Sequence, residues 1–223
     1  MRELLARACK RGLRGNLSLL RERMIYYHWE LVTLERDLRP LPINRPRAER
    51  WPAVVITHQT LPRLEKYFAR YLPTIRDLLK RDGVHGSAHL NEHGDAVCIV
   101  WISEYDYYDP HLYRCWVRLP PGCIYQFAGE VAPAYQRVGI PILAMQLLWA
   151  QYRARGFQST RALVNTRNQV ALSTHMGMGF REVGESTHVY CLFGCLHFSR
   201  RQSYSEPRLA HLHKPARKHK EVV

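Results

Sequence analysis

Glu130-Val131-Ala132-Pro133-Ala134-Tyr135-Gln136-Arg137-Val138-Gly139-Ile140-Pro141 is the stretch that decides how this chain folds. Before it, Cys123-Ile124-Tyr125-Gln126-Phe127-Ala128 carries no charge and is rich in β-formers, the signature of a buried strand. After it, Ile140, Leu143, Ala144, Leu147 and Leu148 recur at the spacing of an amphipathic helix face. The stretch therefore reads as a strand, a short loop and a helix start, with Pro141 in the first turn, where proline is tolerated. Backbone N–H groups at such a start have no intrahelical partner, and the helix dipole adds partial positive charge. With Gly139 permitting close approach, the loop can wrap a phosphate or pyrophosphate. An ordinary strand–helix turn has the same composition, so the loop by itself leaves both readings open.

The residues that follow narrow the choice. Ala162-Leu163-Val164 reads as a strand, Asn168 follows, and Ala171–His175 leads into Met176-Gly177-Met178-Gly179-Phe180. A strand, a Gln-x-x-Gly loop, a helix, a second strand, an asparagine and a helix ending in Gly-Phe together resemble the GNAT-type N-acetyltransferases. Val131, Pro133, Gln136 and Gly139 match the loop of that superfamily, and Asn168 and Gly179-Phe180 match the second motif in order and spacing. The resemblance covers roughly residues 51–198. It implies a mixed α/β (α+β) fold, with a mostly antiparallel central sheet whose central strands splay apart and helices flanking it.

The resemblance also implies an activity: acetyl-CoA-dependent transfer of an acyl group to a primary amine of a small molecule or amino sugar. Gln136, Arg137, Val138, Gly139 and Ile140 would surround the coenzyme's pyrophosphate, with an N–H near Val131 meeting the thioester carbonyl. Asn168 would hold the coenzyme or cap its helix. His175 falls where many members have a tyrosine that protonates the departing thiolate, so it is the candidate general acid. Glu130 is the acid on the central strand and the candidate base. Two departures stand out. Pro141 replaces a small residue and removes one N–H donor, and the middle of the strand reads Tyr125-Gln126-Phe127 where some members carry a carboxylate.

Elsewhere the chain reads more simply. Residues 1–50 are expected to hold a basic helix, a strand from Met24 to Leu34 and a proline-rich linker; 51–199 the acetyltransferase-like domain; and 200–223 a basic, disordered tail. Ala96–Ser103 forms a hairpin with Ser87–Asn91, and Tyr113–Arg118 reads as a further strand. Glu104-Tyr105-Asp106-Tyr107-Tyr108-Asp109 interleaves acids and aromatics, as a site for a cationic amine would. Glu104 and Asp106, with Tyr125 on the central strand, are the expected acceptor-binding residues.

A hydrophobic fraction of 46% over 223 residues is ample for one core, and no apolar run approaches a membrane span. The N-terminus is too interrupted by arginine for a secretory signal, and cysteines read as free thiols, so a cytoplasmic protein is expected. Cys191, Cys195 and His197 lack a fourth ligand, and no metal is expected. The net charge of +14 is concentrated at the ends, which suggests an anionic membrane or polyanion as partner or serves solubility alone. A homodimer is left open. Competing readings keep the fold but acylate a protein or an envelope or exopolysaccharide intermediate, or bind anionic partners without catalysis.

Overall fold

The computed structural model describes residues 26–39, 45–136 and 138–212. In chain order these form β1 (Tyr26–Asp37), α1 (Arg45–Arg50), β2 (Ala53–Val55), α2 (Glu65–Phe68), α3 (Leu72–Leu78), β3 (Val84–Leu90) and β4 (Ala96–Ser103). There follow β5 (Tyr107–Tyr108), β6 (Trp116–Val117), β7 (Cys123–Val131), α4 (Ile140–Ala154), β8 (Ser159–Asn165), α5 (Gln169–Gly177), β9 (Arg181–Leu192) and β10 (Leu196–Ser203). Eight strands make one sheet in the order β10-β9-β1-β8-β7-β4-β3-β2, and β5 pairs with β6 apart from it. Every neighbouring pair in the large sheet is antiparallel except β7 and β8. This is the mixed α/β, mostly antiparallel architecture expected.

β4 is buried along its whole length, and Val97, Ile99 and Trp101 alternate with Cys98, Val100 and Ile102 across its two faces. α4 lies over β3, β4 and β7. Its Ile140, Leu143, Ala144, Leu148, Trp149 and Tyr152 form the buried stripe. Gly156, at φ 95°, ends that helix, because a residue with a Cβ is strained in the left-handed region.

Three expectations are corrected. The strand assigned to an N-terminal appendage lies in the middle of the sheet, with β1 pairing β8 on one side and β9 on the other. Its Leu31, Val32 and Leu34 are fully buried, so a boundary at residue 50 would cut through the core. The tail assigned as disordered from residue 200 instead completes β10 and continues in place to Leu212. Glu182 holds it by accepting the Tyr204 hydroxyl and the backbone N–H groups of Arg208 and Leu209, while Leu209 is buried. A few apolar groups and one carboxylate with three donors suffice where composition alone suggested none.

The third correction concerns Tyr113–Arg118, of which Trp116–Val117 alone pairs, against Tyr107–Tyr108. Asp109 turns the preceding loop back on itself by accepting the N–H groups of His111 and Leu112 at its Oδ1, both at 2.9 Å. Two features of the N-terminus and tail, the basic helix over residues 2–22 and the basic run beyond residue 212, lie outside the described residues. Among the described residues, no helix is long and apolar enough to cross a membrane.

Candidate active site

β7 and β8 run parallel but pair only through Cys123↔Ser159, Ile124↔Thr160 and Tyr125↔Arg161. Beyond Tyr125 they part. The cause is visible on the other edge of β7, where Ile99 opposes Glu130 and Trp101 opposes Phe127. Val100 thus faces two residues, Ala128 and Gly129, and Ala128 adopts φ 47°. Such a bulge bends the strand and raises its twist, carrying the end of β7 away from β8. A cleft of about 240 Å³ opens in the gap, between the end of β7, the middle of β8 and the first turns of α4 and α5.

At one side of this cleft stands the start of α4. Gly139 takes φ 76° and caps the helix, whose first internal bond runs from Leu143 N–H to Gly139 O at 3.3 Å. Ile140 is fully buried and anchors the first turn of the helix in the core. Pro141 faces the cleft and contributes no N–H. Gln136 and Val138 are exposed, and Val131 and Asn168 line the cleft. Asn168 Oδ1 also accepts the Ala171 N–H at 3.1 Å, capping α5. Arg137 lies outside the described residues.

His175 lies in the cleft wall with both ring nitrogens engaged. Its Nδ1 is 2.8 Å from Ala171 O, and an imidazole facing a carbonyl donates there. Its Nε2 is 3.4 Å from Gln126 Nε2. The partners of Gln126 assign its amide: Oε1 accepts Trp149 Nε1–H at 2.9 Å and the Thr160 hydroxyl at 3.3 Å. The amide NH₂ therefore turns to His175, whose Nε2 presents a lone pair. Burial holds this imidazole below its ordinary value, so it is neutral at pH 7. Beneath it, the Phe180 ring stands edge-on at 5.0 Å, and the Arg36 guanidinium lies 4.1 Å over Trp149. Gln126 is thus the hub joining β7, β8, α4 and α5 at the splay.

Glu130 lines the same cleft, half-buried, near Tyr71, whose phenol is pushed up by burial and by this carboxylate. Glu104 and Asp106 are elsewhere. Glu104 takes a two-pronged contact from Arg155 at 2.7 and 3.0 Å, with the Tyr152 hydroxyl at 3.2 Å and His85 at 3.1 Å. Asp106 is held by Arg118 and by the Leu119 N–H, both at 2.7 Å. Both tie the end of β4 and its following loop to neighbouring elements, and neither lines the cleft.

Tyr125 does line a cavity, a second one of about 130 Å³ that shares Tyr113, Phe127, Ala128 and Leu163 with the first. The acid beside it is Asp109, which the acid-and-aromatic segment contains but strand alternation from Glu104 and Asp106 does not select. The signal that could have found it is Asp109-Pro110, a turn that ends the alternation and redirects the chain over the sheet. Among the described residues, no group of three His, Cys, Asp or Glu side chains could hold a metal ion.

No family model and no curated protein matches this chain. Solved structures do. A protein from Novosphingobium aromaticivorans described as a GNAT-family acetyltransferase superposes at a TM-score of 0.51 with 12% identity, covering 80% of this chain and 66% of that one. A conserved protein of unknown function from Staphylococcus epidermidis gives 0.51 with 11% identity, over 79% and 66%. An aminoglycoside 6'-N-acetyltransferase from Acinetobacter baumannii is similar at 0.45 and 16%, over 59% of this chain and 91% of that one. With its splayed parallel pair set in an otherwise antiparallel sheet, the chain has the fold of the GNAT-type N-acetyltransferases.

Proposed function

We propose that the protein transfers an acyl group from acetyl-CoA to the primary amine of a small molecule or amino sugar. The observation that carries this reading is the gap between β7 and β8, opening beside the glycine-capped start of α4. Strand edges that part at this point offer backbone groups to a thioester without competition from a neighbouring strand. The first-turn N–H groups of α4, which have no carbonyl one turn back, suit a pyrophosphate. Gln136, Val138, Gly139 and Ile140, with Arg137 beside them, are the proposed pyrophosphate loop. Val131 and Asn168 are the proposed contacts deeper in the cleft.

The protons can be followed. An ammonium must lose one proton before it attacks, and Glu130, half-buried and in reach of water, takes it and passes it to solvent. Attack forms the C–N bond and leaves the nitrogen of the tetrahedral adduct cationic, with one proton still to lose. His175 Nε2, once its lone pair leaves the Gln126 amide 3.4 Å away, takes that proton as the C–S bond breaks and gives it to the leaving thiolate. Burial makes the imidazolium a stronger acid than an ordinary histidine, and a free thiol has a pKa of about 8.5, so the second transfer runs downhill. His175 thus acts as the expected acid only after first accepting a proton.

Acetyl-CoA that binds the folded chain alone raises its melting temperature with ligand concentration, worth about 2.7 kcal/mol at 100 times the dissociation constant. Gly139→Glu places a carboxylate and a Cβ where the loop has neither, and should abolish that shift. Mass spectrometry of amine pools incubated with acetyl-CoA identifies the acceptor. A wild-type protein with no coenzyme-dependent shift sinks the reading.

A further inference from the structure

The second cavity suggests what kind of amine is accepted. It opens from the splay past Phe127 and Ala128, and its walls include Tyr107, Tyr113 and Tyr125, with Thr74 and Asp109. Tyr107 and Tyr125 are buried, and their rings stack around Phe127 at 4.4 and 5.2 Å. Asp109 is 7% exposed. Its Oδ1 is committed to the His111 and Leu112 N–H groups, while among the described residues no donor reaches its Oδ2. The charges nearby do not neutralise it: His111 is 3.0 Å from Asp77, and Arg81 binds Asp77 and the Tyr108 carbonyl while stacking on Tyr107. The result is a buried carboxylate in the wall of an aromatic chamber, unpaired with Arg81 or His111, which both bind Asp77 instead.

Resting on the acyltransferase reading, we infer that this chamber binds a second, non-reacting ammonium group of the acceptor, held by Asp109 and the surrounding tyrosine faces. The preferred substrates are then diamines or amino sugars with more than one amine. The reacting nitrogen itself does not belong here. A carboxylate in a low-dielectric pocket favours the charged form of an amine, and a protonated amine cannot attack a thioester. A group that stays cationic throughout the reaction gains from the same environment, with tyrosine faces adding cation–π attraction. Burial and the Asp109 charge raise all three phenols, Tyr113 to about 12, so they remain neutral and do not compete for the cation.

Calorimetric titration of 1,4-diaminobutane and 1-aminobutane separates the possibilities, with and without CoA. The wild type should bind the diamine at least tenfold more tightly than the monoamine. Asp109→Asn keeps an Oδ1 for the two backbone donors, so the loop is preserved, and should remove that tenfold preference while leaving CoA binding unchanged. Thr74→Lys, on the chamber rim, supplies a tethered ammonium and should remove the preference without touching Asp109. A wild type that binds both amines equally, or an Asp109→Asn protein that keeps its preference, overturns the inference. If the wild type fails to bind CoA, the acyltransferase reading falls instead, and the diamine titration without CoA still reports on Asp109.

Discussion

Replacing Gln126 by leucine tests the hub on which the candidate site depends. The side chain is buried at 3% exposure, and its Oε1 satisfies two donors that are themselves buried, Trp149 Nε1–H and the Thr160 hydroxyl. Leucine fills much of the same volume but accepts nothing. Leaving a buried donor unpaired costs about 1–3 kcal/mol, and two are orphaned here. The Thr160 hydroxyl can rotate and recover part of its loss, and the added apolar burial returns about 1–2 kcal/mol. The net expectation is a destabilisation of about 2 kcal/mol. With a urea slope of about 2 kcal/mol/M, the unfolding midpoint should fall by about 1 M.

Gln126→Glu provides the contrast. It keeps an acceptor for Trp149 and Thr160 but exchanges the amide donor facing His175 for a carboxylate. The His175 pKa should then rise, since an opposite charge within hydrogen-bonding reach favours the imidazolium. Proton NMR of the histidine ring reads the shift directly. A leucine variant within about 0.2 M of wild type, beyond which such midpoints are readily resolved, would refute the hub; so would a glutamate variant whose His175 titrates no higher.

Other outcomes follow from the same geometry. Glu104→Gln should cost about 1 kcal/mol, the range of a well-formed but half-exposed arginine–carboxylate pair, and leave acceptor binding intact; a loss of amine binding would return Glu104 to the site. His89 and His175 are both held below their ordinary value by burial, so their neutral forms stabilise the fold above about pH 6.5 and this contribution is lost as pH falls through their folded values. Melting temperature should therefore drop on acidification from pH 7 to 5, less steeply in His175→Gln, and equal slopes would show that His175 is not buried neutral. Gly184→Ala places a Cβ 2.7 Å from the Tyr204 carbonyl oxygen at φ 76°, and should cost about 1–2 kcal/mol by both clash and strain. Truncation after residue 204 removes buried Leu209 and should lower the melting temperature.

Much of the site was legible because its signals are local. A strand, a loop with one glycine in the left-handed region and a helix stripe occupy consecutive residues, and their periodicities change at the loop. The Asn168 cap and the helix it begins were likewise contiguous. What the sequence hid was set by contacts distant along the chain. Glu104 has the right chemistry for binding a cation, but Arg155, 51 residues later, already occupies it. Asp109 looks like any turn aspartate until the tyrosines of β5 and β7 gather around it. The orientation of His175 depends on Gln126, whose own orientation depends on Trp149 and Thr160, so four separate elements settle one tautomer.

The position of β1 carries the same lesson into the architecture. Its sequence predicts a strand, and a strand it is, but nothing within Tyr26–Asp37 says which edge it joins. The pairing comes from what β8 and β9 leave open. β8 gives one edge to β7 over three residues and has a full second edge, which β1 covers from Leu31 to Asp37. Without β1, the strand that walls the cleft would present that edge to solvent, an invitation to pair with another chain. The loosened partner on the cleft side is therefore backed by a long ladder on the other. A sheet can open between β7 and β8 without falling apart because β8 is anchored from behind by the N-terminal strand, and the opening is where the proposed chemistry takes place.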